Sequence, residues 1–137
     1  MSTQRPHAES NLRSPIRRVI HLGSAKEGVG HWWSQRVTSV ALIFLGLWFL
    51  GALIVNADFS YEGITHWVAS PVNTVLLILF LLTSLYHSKL GVQVVVEDYV
   101  SHSGAKVVTM LLINFAHVLL AALGVFAVLR IAFGGAA

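Results

Sequence analysis

Residues 71–100 read PVNTVLLILFLLTSLYHSKLGVQVVVEDYV, apolar for most of a membrane's thickness, then a histidine, a lysine and a glycine, and at the end Glu97, Asp98 and Tyr99. A helix rising about 1.5 Å per residue needs roughly 20 residues to cross a hydrocarbon core of about 30 Å, so this stretch predicts a transmembrane helix. Ionisable side chains are expensive to bury in such a segment and by default point to function. His87 is therefore the first residue to explain. At about 100° per residue, Thr83, His87, Gly91, Val94 and Asp98 fall on one helix face, and Tyr99 lies about 18 Å beyond His87 along the axis. An imidazole in the oil shares its helix with a phenol at the water boundary.

The chain of 137 residues is 55% hydrophobic and only 11% charged. Soluble domains carry about a quarter charged residues, so the composition is that of a single-domain membrane protein. There is no cysteine, which excludes iron–sulfur ligation, a thiolate haem ligand and any disulfide on this chain. The formal net charge of +3 does not signal nucleic acid: of nine Lys and Arg, the six at Arg5, Arg13, Arg17, Arg18, Lys26 and Arg36 precede the first span. Positive charge in that position reports membrane topology.

Residues 1–30 form a polar, basic arm without the apolar core of a secretory signal. It lies on anionic headgroups or docks against a soluble partner protein. His31-Trp32-Trp33-Ser34-Gln35-Arg36 has the paired tryptophans of an interfacial belt, and the first span runs over residues 37–57. Arg36 at its mouth either snorkels to the interface or turns its planar fork to a carboxylate. Residues 58–70 contain Asp58 and Glu62 but no Lys or Arg. An acidic loop opposite a basic terminus predicts a cytoplasmic N-terminus and a periplasmic C-terminus. His66 reads as a solvated loop residue, with Tyr61 and Trp67 as interface anchors.

The second span covers residues 71–96, opening on Pro71, a residue tolerated in a first helical turn. The third covers residues 107–133 and carries Asn114 and His117. His87 and His117 are each 15 positions from residue 102, which predicts similar depths on antiparallel helices. Two readings stay open for His117: one half of a bis-histidine site within the chain, or an interhelical hydrogen-bonding residue. Gly91 either makes room for a flat macrocycle beside His87 or is an ordinary packing glycine. Lys89 faces away from His87 and snorkels toward the inner headgroups.

His87-Ser88-Lys89-Leu90-Gly91 followed by Glu97-Asp98-Tyr99 resembles the signature of the small hydrophobic membrane anchor of haem b-containing succinate dehydrogenase (succinate:quinone oxidoreductase, respiratory complex II). With the three-span layout, the resemblance extends over roughly residues 20–135. It implies an all-α, integral-membrane three-helix bundle, residues 31–135. An N-terminal arm without an Arg- and Ser-rich amphipathic leader favours a bacterial inner membrane over a mitochondrial one. The resemblance further implies that His87 is an axial ligand of haem b, the second axial histidine coming from another hydrophobic anchor subunit, so that the haem is shared between two chains. Tyr99, with Asp98 beside it, would form part of the ubiquinone reduction site. Arg36, together with His31 and Ser34, would lie near the haem propionates. The other implied partners are an iron–sulfur subunit and a flavoprotein subunit, which pass electrons from succinate to quinone in the respiratory chain and tricarboxylic acid cycle. On this reading the chain is one component of an enzyme and does not catalyse alone. The competing expectation is a cofactor-free structural anchor or assembly subunit. A small transporter fits worse, since three spans supply no inverted repeat.

Overall fold

The computed structural model describes residues 26–56 and 58–134. The basic side chains expected at Arg5, Arg13, Arg17 and Arg18 lie outside the described residues. Every element within them is a helix: α1 (Lys26–Val55), α2 (Tyr61–Ala69), α3 (Pro71–Tyr99) and α4 (Ser103–Gly134). Three of these, α1, α3 and α4, are long and apolar enough to cross a membrane. The expected spans thus appear as helices: α1 starts earlier and stops two residues short of the expected 57, α3 starts at Pro71 as expected and runs on to Tyr99, and α4 begins four residues early at Ser103.

Apolar residues are spread around these three helices and not gathered on one face, the pattern of helices whose surroundings are apolar on every side. Packing follows from local fit. α3 is the central element, with α1 on one flank and α4 on the other, and among the described residues α1 and α4 do not meet. Phe49 of α1 stacks on Phe80 of α3, ring centroids 5.1 Å apart. On the other flank Gly124 of α4 receives Leu81 of α3, occupying space that a Cβ would claim. The result is an open row of helices. Among the described residues only Val68, Thr74, Leu90 and Val96 are buried.

The acidic connection between the first two spans departs from the expected loop: residues 61–69 form α2, and His66 sits exposed on it. Its start is capped, the Ser60 hydroxyl accepting from the Gly63 backbone N–H at 3.1 Å, while Asp58 Oδ1 accepts from the Ser60 N–H at 2.9 Å. A serine N-cap satisfies one of the orphan donors of a first turn. The Ser60 hydroxyl and then its backbone N–H hold the Asp58 carboxyl below the ordinary carboxylate value. Gly63 is needed there because a Cβ would strike the Asp58 side chain and its backbone carbonyl. Trp67 stacks on Trp48 of α1, ring centroids 6.0 Å apart and planes 18° from parallel. Two side chains in the first turn of α3 then cap the end of α2: Asn73 Nδ2 donates to Trp67 O at 2.8 Å, and Thr74 Oγ1 donates to Val68 O at 2.7 Å.

Candidate functional site

Between α1 and α3, toward the start of one and the end of the other, lies an open groove of about 710 Å³. Its α1 wall is His31, Trp32, Gln35, Arg36 and Ser39, and its α3 wall is His87, Gly91, Gln93, Val94 and Glu97. The helical spacing explains the second set. His87, Gly91 and Val94 were expected on one face, and that face looks at α1.

His87 is half-buried, and both of its ring nitrogens meet α1: Nδ1 is 2.9 Å from Thr38 Oγ1, and Nε2 is 3.2 Å from Gln35 Nε2. Thr38 Oγ1 is in turn 2.8 Å from the Ser34 carbonyl, one helical turn back. Two polar atoms near this histidine are buried without a partner, His31 Nε2 and Gln35 Oε1. The Arg36 guanidinium lies over the Trp32 ring, 5.5 Å from its centroid, a cation–π contact at the rim of the groove. A Cβ at Gly91 would find only Gln35 Nε2, at 3.8 Å, so that stretch of α3 presents bare backbone to open space.

The structure therefore gathers His31, Arg36, His87 and Gly91 around one groove. Ser34 takes part through its carbonyl. Asp98 and Tyr99 do not line the groove: both are exposed, Tyr99 by 84%. The positions just before them do, Gln93 and Glu97, joined by a 2.8 Å hydrogen bond from the amide to the carboxylate. His117 is turned elsewhere, its Nδ1 2.8 Å from the Ile113 carbonyl and its Nε2 3.4 Å from Ser88 Oγ. Ser88 is about 100° around α3 from His87, so the structure does not bring the two histidines together. The contacts of His117 are those of an interhelical polar residue.

Gln35, Thr38 and Ser39 were not expected in the site, whose α1 side ended at Arg36. A signal was present, since His31, Gln35 and then Thr38 and Ser39 recur four, seven and eight positions apart, one polar stripe entering an apolar span. A second hollow, about 560 Å³, lies at the far end among Asn56, Asp58, Glu62, His66 and Asn73. Among the described residues no group of three or more His, Asp or Glu is placed to hold a metal ion.

The groove suits a flat, anionic-edged macrocycle: an imidazole Nε2 at one wall, bare backbone at Gly91, and the unpartnered His31 Nε2 with an arginine nearby. Fold and groove together define a polytopic helical membrane protein whose polar site is built along one open side. The chain belongs to the succinate dehydrogenase/fumarate reductase transmembrane subunit family, whose profile matches residues 10–127. It is 34% identical over 91 residues to the succinate dehydrogenase hydrophobic membrane anchor subunit of Rickettsia bellii, covering 66% of this chain and 73% of that one. The corresponding Rickettsia conorii protein is 32% identical over 93 residues, 67% of this chain and 74% of the relative. That of Rickettsia prowazekii is 31% identical over 91 residues, 66% and 73% of the two chains.

Proposed function

We propose that this membrane anchor of succinate dehydrogenase supplies His87 as one axial ligand of a haem b, the other ligand coming from a second hydrophobic anchor subunit. The observation that carries the proposal is the placement of the His87 ring, deep on α3 and facing α1, with its Nε2 turned to a groove that also holds His31 and Arg36. Haem b held by two imidazoles supplies one-electron transfer without binding oxygen. His87 would hold the group through its Nε2 lone pair, the nitrogen that the Gln35 amide covers at 3.2 Å. Arg36 offers its planar fork to carboxylate oxygens, and His31 Nε2 offers a hydrogen bond. Gly91, one turn beyond His87, leaves bare backbone where a flat group would need room.

Tyr99 and Asp98, exposed at the end of α3, belong to a ubiquinone reduction site that a partner protein completes. The Tyr99 hydroxyl donates to a quinone carbonyl oxygen, and Asp98 passes protons from bulk water. Electrons reach this site from an iron–sulfur subunit and a flavoprotein subunit bound on the cytoplasmic side, since the chain has no cysteine to hold a cluster. The N-terminus is cytoplasmic, the C-terminus periplasmic, and the membrane is a bacterial inner membrane.

One observation favours a cofactor-free structural anchor: both His87 ring nitrogens already have protein partners. Reduced-minus-oxidised spectra of membranes carrying the assembled complex separate the readings. The proposal expects b-type absorbance in the wild type and its loss in His87→Ala. Undiminished absorbance in His87→Ala refutes the assignment, loss in His117→Ala in its place would support a site within the chain, and a wild-type complex without a Soret band would leave the structural anchor.

A further inference from the structure

We propose that Thr38 is a positioning residue for His87: it fixes which ring nitrogen carries the proton and so aims a bare Nε2 into the groove. A neutral imidazole has one proton for two nitrogens. The Gln35 amide nitrogen, 3.2 Å from His87 Nε2, can only donate, so Nε2 accepts and the proton sits on Nδ1. Nδ1–H then donates to Thr38 Oγ1 at 2.9 Å. Thr38 in turn has one hydroxyl proton and two backbone acceptors within reach, Ser34 O at 2.8 Å and Gln35 O at 3.1 Å. Its proton goes to one of these carbonyls, leaving its lone pairs to receive the imidazole.

The two α1 partners of His87 differ in kind. Threonine is stiff at its first side-chain torsion, and its back-bond to the preceding turn locks it further. Gln35 is long and flexible, and its Oε1 is buried with nothing bonded to it. Thr38 is the permanent acceptor; Gln35 is a removable cover on the nitrogen that would take iron. Holding the far N–H of a metal-bound imidazole fixes its orientation and raises its basicity as a ligand. A more basic ligand favours oxidised iron, so Thr38 lowers the reduction potential of the centre. That last consequence rests on the axial-ligand reading of His87; the tautomer does not.

The test uses the full complex in lipid bilayers, with Thr38→Val (hydroxyl replaced by methyl at similar shape), Thr38→Ala and Thr38→Ser. The first readout is the ¹⁵N resonance of His87 Nδ1 in dithionite-reduced, ¹⁵N-histidine-labelled complex, assigned by its absence in His87→Gln. It shifts in the Val and Ala variants and stays in place in Ser. The second is the midpoint potential of the b-type absorbance, which rises in Val and Ala and returns toward wild type in Ser. An Nδ1 resonance and a potential unchanged in both Val and Ala overturn the proposal. Should one of those two variants fail to assemble, the other and Ser decide the matter. If His87→Ala keeps the b-type absorbance, the axial reading fails, while the nitrogen resonance still judges Thr38 by itself.

Discussion

Replacing Tyr99 with phenylalanine removes one hydroxyl from a side chain that is otherwise 84% exposed, so the fold has little to lose and any effect belongs to what the hydroxyl touches. A neutral hydrogen bond contributes about 0.5–1.5 kcal/mol, and about 1.4 kcal/mol is tenfold in rate. Tyr99→Phe is expected to lower succinate:quinone reductase activity by up to about tenfold while leaving succinate oxidation by a water-soluble acceptor unchanged; equal rates with quinone would remove Tyr99 from the site. Arg36→Lys keeps the charge and loses the fork and much of the contact with Trp32. At about 0.5–1 kcal/mol for an exposed cation–π contact, the variant should retain its b-type spectrum yet release haem a few-fold faster during detergent washing, timed from the decay of the Soret band. At this scale the sequence disclosed His87, because an imidazole inside an apolar run stands out against its neighbours. It did not disclose Gln35 and Thr38 as its partners, since serine, threonine and glutamine near a span's mouth look like ordinary interface residues.

Among the elements, α3 carries the most because it touches both other spanning helices. The seat of Leu81 at Gly124 sets how close α4 can come. Gly124→Val forces that side chain out, and overpacking costs about 1–3 kcal/mol; the complex is expected to melt lower in detergent, whereas Gly46→Val, where a Cβ would meet nothing, should leave the melting curve in place. The short helix α2 answers to pH. Asp58 has a lowered pKa through Ser60, so its support for the first turn of α2 is complete above the ordinary carboxylate range and disappears as pH falls through the lowered native value. Amide exchange at Ser60 and Gly63 should accelerate in that acid window, and Asp58→Asn, which keeps an acceptor oxygen without the charge, should abolish the pH dependence. The helix α2 was hidden in sequence because a stretch of nine residues containing a glycine and an acidic residue, with serines on both sides, reads as a connection. Ser60, Asn73 and Thr74 supply the caps that make it a helix.

For the whole molecule, orientation is open to a direct measurement because the chain has no cysteine to remove. Glu62→Cys should react with a membrane-impermeant maleimide added outside, and Ser101→Cys only after the inner face is opened; the reverse pattern would invert the topology and move Tyr99 away from the side of the soluble subunits. The row of helices leaves Phe44, Leu47, Phe115, Leu119 and Phe126 exposed, a surface suited to an apolar medium on both flanks of α3.

What the amino-acid order determined alone is the set of three spans and the family signature around His87, because burial in a bilayer depends on apolar length, a property measured along the chain. Which residues meet was left to the tertiary structure. Helices that are apolar on every side carry no facial signal, so their rotation is set by particular contacts such as Phe49 on Phe80 and Leu81 on Gly124. Those contacts turn His87 toward Gln35 and Thr38 and leave His117 bonded to Ser88. They also leave Tyr99 outside the groove, at a helix end where a neighbouring protein can reach it.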